Sequence, residues 1–159
     1  LLNFVLYKMQ EMGAEISTSN DSISIEMFGR PSNVDITTAA YPAFPTDLQP
    51  MAMAVMAISY GTGYIRERVF ENRFSHSMEL TRLGANITID GDRATIKGIN
   101  DLEGASIMAS DIRAGAGLVV AALAAKGTSE ILRVYHIDRG YEMIEKKLNS
   151  LGAKITRVV

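Results

Sequence analysis

Leu83-Gly84-Ala85-Asn86-Ile87-Thr88 returns as Leu151-Gly152-Ala153-Lys154-Ile155-Thr156, and in part as Met12-Gly13-Ala14-Glu15-Ile16-Ser17. Each copy closes an apolar period, offers a Gly where a left-handed helix cap is usual, and continues with apolar alternation. That is the signature of a helix stop followed by a strand. Ahead of the two full copies the same residues stand in the same order. Asp47, Gly61-Thr62, Ile65 and Arg73 precede the first; Asp111, Gly127-Thr128, Ile131 and Arg139 precede the second. The spacing between copies grows slightly from the Asp to the Arg to the Gly, as loop insertions make it do. Self-similarity of this kind marks an array of supersecondary units, and a duplicated acid with a duplicated Arg is a candidate site.

The units themselves follow from periodicity. Residues 2–12 place Leu2, Val5, Leu6, Met9 and Met12 at helical spacing, with Gly13 as the stop. Residues 14–17 and 23–27 alternate around Asn20-Asp21 and predict a hairpin with one buried face. Val34-Asp35-Ile36 predicts a short strand. The two prolines and two aromatics of residues 39–46 predict a stiff loop aiming the next helix. Residues 47–60 are Met- and Ala-rich and apolar nearly all round, hence an interior helix, and 111–125 is the counterpart. Gly115 and Gly117 each cost about 1 kcal/mol there against Ala, which close packing on a neighbouring backbone would offset. Strands at 63–70 and 128–135, helices at 75–83 and 139–151, strands at 86–90 and 93–97 around Gly91-Asp92, and a last strand at 155–159 complete the pattern. The order strand, helix, strand, helix, strand, strand predicts α/β units with mixed sheets.

The 159 residues, 47% hydrophobic and 21% charged, suffice for one ordinary core. A formal charge of −2 without like-charge runs argues against nucleic acid and anionic membrane as partners. No stretch approaches the roughly 18 apolar residues of a spanning helix, and no signal peptide is evident, so a cytoplasmic location is expected. The absence of Cys excludes disulfides and a Cys nucleophile in this chain, and two His far apart make a zinc site unexpected; no cofactor or metal is implied. The start without Met, in mid-helix, reads as a fragment of something longer. Residues 1–38 form the tail of one unit, 39–104 a second and 105–159 a third, truncated. A broken first unit and an unpaired last strand lead us to expect marginal stability and open sheet edges.

Val69-Phe70-Glu71-Asn72-Arg73-Phe74 and Tyr135-His136-Ile137-Asp138-Arg139-Gly140-Tyr141-Glu142, preceded by Phe44-Pro45-Thr46-Asp47-Leu48-Gln49 and Met108-Ala109-Ser110-Asp111-Ile112-Arg113, resemble the enolpyruvyl transferase family, in particular its members acting on UDP-N-acetylglucosamine in bacterial cell-wall synthesis. The resemblance is collinear over nearly the whole chain. It implies part of a C-terminal domain of repeated β-α-β-α-β-β units, the inside-out α/β barrel, incomplete here, with the active site in the cleft against an N-terminal domain. It also implies transfer of the enolpyruvyl group of phosphoenolpyruvate to the sugar 3-hydroxyl, by addition to a tetrahedral intermediate and loss of phosphate, the first committed step of peptidoglycan synthesis. That chemistry needs a base at the hydroxyl, cations for carboxylate and phosphate, and an acid for the methylene carbon. By the resemblance Asp47 is the base, Arg73 and Arg139 line the phosphoenolpyruvate side, Asp111 and Arg113 are further cleft residues, and Val69 and Phe70 lie beside the nucleotide sugar. The acid and the remaining anion-binding residues belong to the other domain, so this chain alone is not expected to turn over. The sister transferase acting on shikimate 3-phosphate and a non-catalytic nucleotide-sugar-binding module are the alternatives.

Residue type alone offers plainer roles. An Asp at a helix start is commonly a cap, which stays open for Asp111. Arg73 and Arg139, read as standing at helix starts, oppose the helix dipole, a local inconsistency of the kind sites carry. His136 beside Asp138 reads as an oriented structural His before a proton relay, and Met51, Met53 and Met56 as core.

Overall fold

The computed structural model describes residues 2–158; the expectations for Leu1 and Val159 lie outside them. Helix α1 (Asn3–Glu11) leads through Gly13, at φ +107°, into the hairpin β1 (Glu15–Thr18) and β2 (Ile23–Glu26). The hairpin forms as expected, with Ile16 opposite Ile25. Its apolar face is not buried: Ile23, Ile25 and Met27 stay exposed, because no layer covers this two-stranded sheet among the described residues.

The repeat is complete in the middle of the chain. Strand β3 (Ile36–Thr37) leads through a 3-10 turn at Thr46–Leu48 into α2 (Gln49–Ala57), then β4 (Thr62–Arg66), α3 (His76–Arg82) and the hairpin β5 (Asn86–Asp90) and β6 (Arg93–Lys97). The sheet order is β3-β4-β6-β5, with β3 parallel to β4 and the other pairs antiparallel. The next copy supplies β7 (Ser106–Met108), α4 (Ile112–Ala124), β8 (Glu130–Leu132), α5 (Tyr135–Asp138) and α6 (Ile144–Ser150). Its β7 and β8 run parallel, as β3 and β4 do. The equivalent glycines share one conformation: Gly84 at +95° and Gly152 at +99°, Gly61 at +79° and Gly127 at +80°. A side chain in that left-handed region is strained, so the repeat carries Gly there.

The core lies where α2 and α4 meet each other and the four-stranded sheet. Met53, Met56, Ile65, Leu80, Leu83, Ile96, Leu102, Ile107 and Leu118 are fully enclosed. Helix α2 is interior, as its nearly uniform apolarity implies. The helix glycines do what their cost requires: a Cβ on Gly117 would stand 2.8 Å from the Pro50 carbonyl carbon, and one on Gly115 would stand 2.6 Å from Ile137. The two helices therefore approach almost backbone to backbone, which fixes the positions of their N-terminal ends.

Several elements are shorter than periodicity implies. The strand read at 63–70 stops at Arg66, because Glu67 turns inward and its carboxylate takes the backbone N–H groups of Val69 and Phe70. The strand read at 128–135 is Glu130–Leu132; Arg133 takes a left-handed φ of 57° and α5 begins at Tyr135. The helix read at 139–151 is α6 alone, since Gly140 packs hard against Ile112 and Met143, at φ 44°, breaks the path. The final strand is absent from residues 155–158. There Asn149 bonds both the N–H and the C=O of Ile155, and Arg157 forks onto Asp138, so side chains take the place of a ladder.

Candidate active site

Pro45, at φ −72° and ψ 134°, delivers the chain into the 3-10 turn that carries Asp47. Asp47 makes no cap with its side chain. It projects outward, 61% exposed, and its Oδ1 meets two guanidinium groups: the Nε of Arg113, in close contact, and Nη2 of Arg73 at 3.7 Å. Arg113 stands in the first turn of α4 and Arg73 in the turn ahead of α3, so adjacent repeat units meet at this carboxylate. Exposed ion pairs contribute about 0–1 kcal/mol; stability alone does not account for two cations on one acid. Both converge on Oδ1, and Oδ2 has no partner among the described residues. That oxygen is free to accept a hydroxyl proton, while the surplus positive charge suits an anion.

Asp111 is the N-cap of α4. Its Oδ1 accepts from the N–H groups of Arg113 at 2.9 Å and Ala114 at 3.1 Å, and its Oδ2 accepts from the Ser110 hydroxyl at 3.0 Å. Partial burial pushes its pKa up, but the Ala114 N–H, the Ser110 hydroxyl and the Arg113 N–H outweigh that and hold the carboxyl below its ordinary value. The cap anchors the backbone from which Arg113 reaches Asp47. The plain and the functional readings of Asp111 are thus compatible.

Arg73 is held on three sides. Its Nη1 donates to the Thr46 hydroxyl at 2.9 Å, its Nη2 faces Asp47, and its guanidinium carbon lies 4.3 Å from the centre of the Phe70 ring. Val69 and Phe70 are exposed and, with Arg68 and Asn72, line an open cleft of about 360 Å³. Asn72 there adopts a left-handed φ of 54°, a conformation Asn tolerates better than most residues.

Arg139 is not drawn into this cluster. It stands at the C-terminal cap of α5, where a cation suits the helix dipole, and makes no side-chain hydrogen bond or ion pair among the described residues. The reading that placed it at a helix start is corrected. Arg73, likewise, precedes α3 without belonging to it. His136 stacks against Tyr135 at 4.3 Å, and the Asp138 carboxylate is engaged by Arg157, so the two form no relay.

Sequence reasoning passed over three neighbours: Thr46, Glu67 and His76. Glu67 had a readable signal, for Gly63, Ile65 and Glu67 share the inward parity of one strand and a charge does not belong there unpartnered. His76, the first residue of α3, is almost fully enclosed, and its Nε2 has no partner among the described residues. Burial lowers its pKa from 6.5 to about 4, Arg73 in the same sense, while Asp111 and Glu67 act in the opposite sense. An unfolded His binds its proton between pH 6.5 and 4 and the buried one does not, so stability is complete above 6.5 and falls across that window. The full shift corresponds to about 3 kcal/mol. We expect His76→Gln to flatten the dependence of the unfolding midpoint on pH in this window; an unchanged slope would remove His76 from the account. The Asp111 contribution fades only below its ordinary carboxyl range and does not overlap.

No group of three His, Asp or Glu among the described residues could hold a metal ion, and no described helix is long and apolar enough to cross a membrane. The arrangement is an acid with one free oxygen between two arginines, at the meeting of repeated α/β units. A family model described as EPSP synthase (3-phosphoshikimate 1-carboxyvinyltransferase) matches residues 1–148. The chain belongs to this carboxyvinyltransferase family. The UDP-N-acetylglucosamine 1-carboxyvinyltransferase of Halorhodospira halophila is 52% identical to it over 158 residues, covering 99% of this chain and 38% of that protein. The crystal structure of the enolpyruvyl transferase NikO from Streptomyces tendae superposes with a TM-score of 0.90 at 29% identity, covering 99% of this chain and 36% of that one. The EPSP synthase of Acinetobacter baumannii shares the fold, at a TM-score of 0.74 and 15% identity over 98% of this chain and 37% of that one. The array of α/β units read from the repeats, and the carboxyvinyltransferase fold that the motif resemblance implies, therefore stand. The chain spans well under half the length of these relatives.

Proposed function

We propose that this chain is part of a transferase that moves the enolpyruvyl group of phosphoenolpyruvate to the 3-hydroxyl of UDP-N-acetylglucosamine and releases phosphate, the first committed step of peptidoglycan synthesis in a bacterial cytoplasm. The observation that carries the reading is Asp47, with Oδ1 engaged by Arg113 and Arg73 and Oδ2 open. The 52% identity to a protein bearing that activity's name supports the choice of acceptor. In this reading Asp47 takes the proton of the sugar hydroxyl, whose oxygen then attacks C2 of phosphoenolpyruvate while an acid from the N-terminal domain protonates the methylene carbon. Departure of phosphate and loss of a methyl proton restore the vinyl group. Arg73 and Arg139 bind the carboxylate and phosphate, Arg113 orients Asp47, Asp111 anchors Arg113, and Val69 and Phe70 border the nucleotide sugar. Residues 1–38, 39–104 and 105–159 act as successive units of one domain, and its partner is the N-terminal domain of the same protein.

The family model's description favours a second reading, with shikimate 3-phosphate as acceptor. Phosphate release from phosphoenolpyruvate by the full-length parent protein separates the two. We expect release to require UDP-N-acetylglucosamine; release that requires shikimate 3-phosphate would overturn the choice, and none with either would favour a binding module.

A further inference from the structure

Glu67 is a buried acid, and its carboxylate is fully engaged. Its Oε1 accepts from the Thr38 hydroxyl at 2.7 Å and from the backbone N–H groups of Val69 at 2.9 Å and Phe70 at 3.2 Å; its Oε2 accepts from the Thr46 hydroxyl at 2.9 Å. The Thr46 oxygen in turn accepts from Nη1 of Arg73 at 2.9 Å. A guanidinium can only donate, so the proton of the Thr46 hydroxyl must point away from Arg73, and it points to Glu67. One buried carboxylate thus joins three segments: the residue just past β3, Thr38, the turn carrying Asp47 through Thr46, and the loop carrying Val69, Phe70 and Arg73.

Burying a carboxylate costs several kcal/mol unless its oxygens are satisfied, and an apolar residue would fill the same inward position just past β4 without that cost. The geometry of the loops is what the acid supplies. We propose that Glu67 is a positioning residue for anion binding: it orients the Thr46 hydroxyl so that its lone pair holds Arg73, and it pins the Val69 and Phe70 amides so that the Phe70 ring backs the same guanidinium. The inference rests on the transferase reading for its kinetic part and on the hydrogen bonds alone for the rest.

Glu67→Gln separates these roles. Its carbonyl oxygen can still accept from Val69 and Phe70, but its NH2 group donates where the carboxylate accepted. The Thr46 hydroxyl thus loses the acceptor that fixes its proton, its lone pairs are shared between Gln and Arg73, and the negative charge beyond Arg73 is gone. In the full-length protein we expect KM for phosphoenolpyruvate to rise about tenfold or more, the scale of one hydrogen bond to a charged group, with KM for the sugar acceptor little changed. Thr46→Val should give the same phenotype and add little in the double variant. Equal changes in both KM values, or strictly additive effects, would overturn the relay. A second readout needs no substrate: hydrogen exchange at the Val69 and Phe70 amides should accelerate in Glu67→Ala and stay slow in Glu67→Gln. Unchanged exchange in the Ala variant would overturn the pinning role. Should the wild-type protein turn over only with another acceptor, the acceptor assignment fails, while the exchange result and the phosphoenolpyruvate KM with that acceptor still decide the role of Glu67.

Discussion

Asp47→Asn in the full-length protein is expected to lower kcat by about 10²–10⁴-fold, the usual contribution of a general base. Asn keeps the size and one carbonyl oxygen for Arg113 and Arg73, so the two guanidinium groups retain an acceptor. What disappears is the capacity of the free Oδ2 to take a proton. Because Asp47 is 61% exposed, its ion pairs contribute little to folding, and the melting temperature should stay near that of the wild type. That combination, lost turnover with retained stability, distinguishes a base from a structural acid. Turnover within a few-fold of wild type would sink the assignment and leave Asp47 as an organiser of the two arginines. Steady-state phosphate release with both substrates saturating is the measurement.

The second large effect is on packing. Gly117→Ala inserts a methyl group 2.8 Å from both the carbonyl carbon and the oxygen of Pro50. Two terms compete. Ala is about 1 kcal/mol better than Gly in a helix interior, whereas overpacking a rigid contact costs about 1–3 kcal/mol. The neighbour here is backbone and cannot rotate aside, so the second term wins and α2 and α4 must separate. Asp47 enters α2 and Arg113 starts α4, so their separation also loosens the ion pair between them. We expect a lower unfolding midpoint together with lower activity. At Gly84, by contrast, a Cβ would meet nothing closer than 3.9 Å, but the backbone stands at φ +95°, so substitution there costs conformational strain and no clash. A Gly117→Ala protein as stable as the wild type would show that the helices can part without penalty.

Legibility in the sequence followed the range of the interactions. The positive-φ glycines at 13, 84 and 152 close helices by local backbone geometry, and a local rule found them. The interior position of α2 was legible because nearly every residue of it is apolar. Element ends were less so. The strand ending at Arg66, the broken helix around Gly140 and Met143, and the side-chain bonds that stand in for a ladder at Ile155 all depend on partners distant in the chain or on a single inward-turning residue. The hairpin of β1 and β2 formed as its alternation implied, yet its apolar face stayed exposed, because alternation reports which residues share a face and not what covers it.

The site divides along the same line. The motifs around Asp47, Arg73, Asp111 and Arg113 could be picked out as residues of interest, since repetition and resemblance act along the chain. That Arg113 of one unit and Arg73 of another converge on the same oxygen of Asp47, while Arg139 stays apart from them, follows from the packing of α2 on α4 through Gly117. Glu67, whose inward parity was readable along the chain, and His76 acquired their partners and surroundings only on folding, because a side chain's hydrogen bonds and its loss of water are properties of the folded surroundings. The sequence by itself determined the repeated α/β unit and its glycine stops, encoded by short-range backbone preferences and apolar period, and its motifs carried the resemblance to the family. The tertiary structure alone decided which charges meet, which oxygen remains free and which partners the buried acid finds, because those depend on distances between segments that no local preference sets.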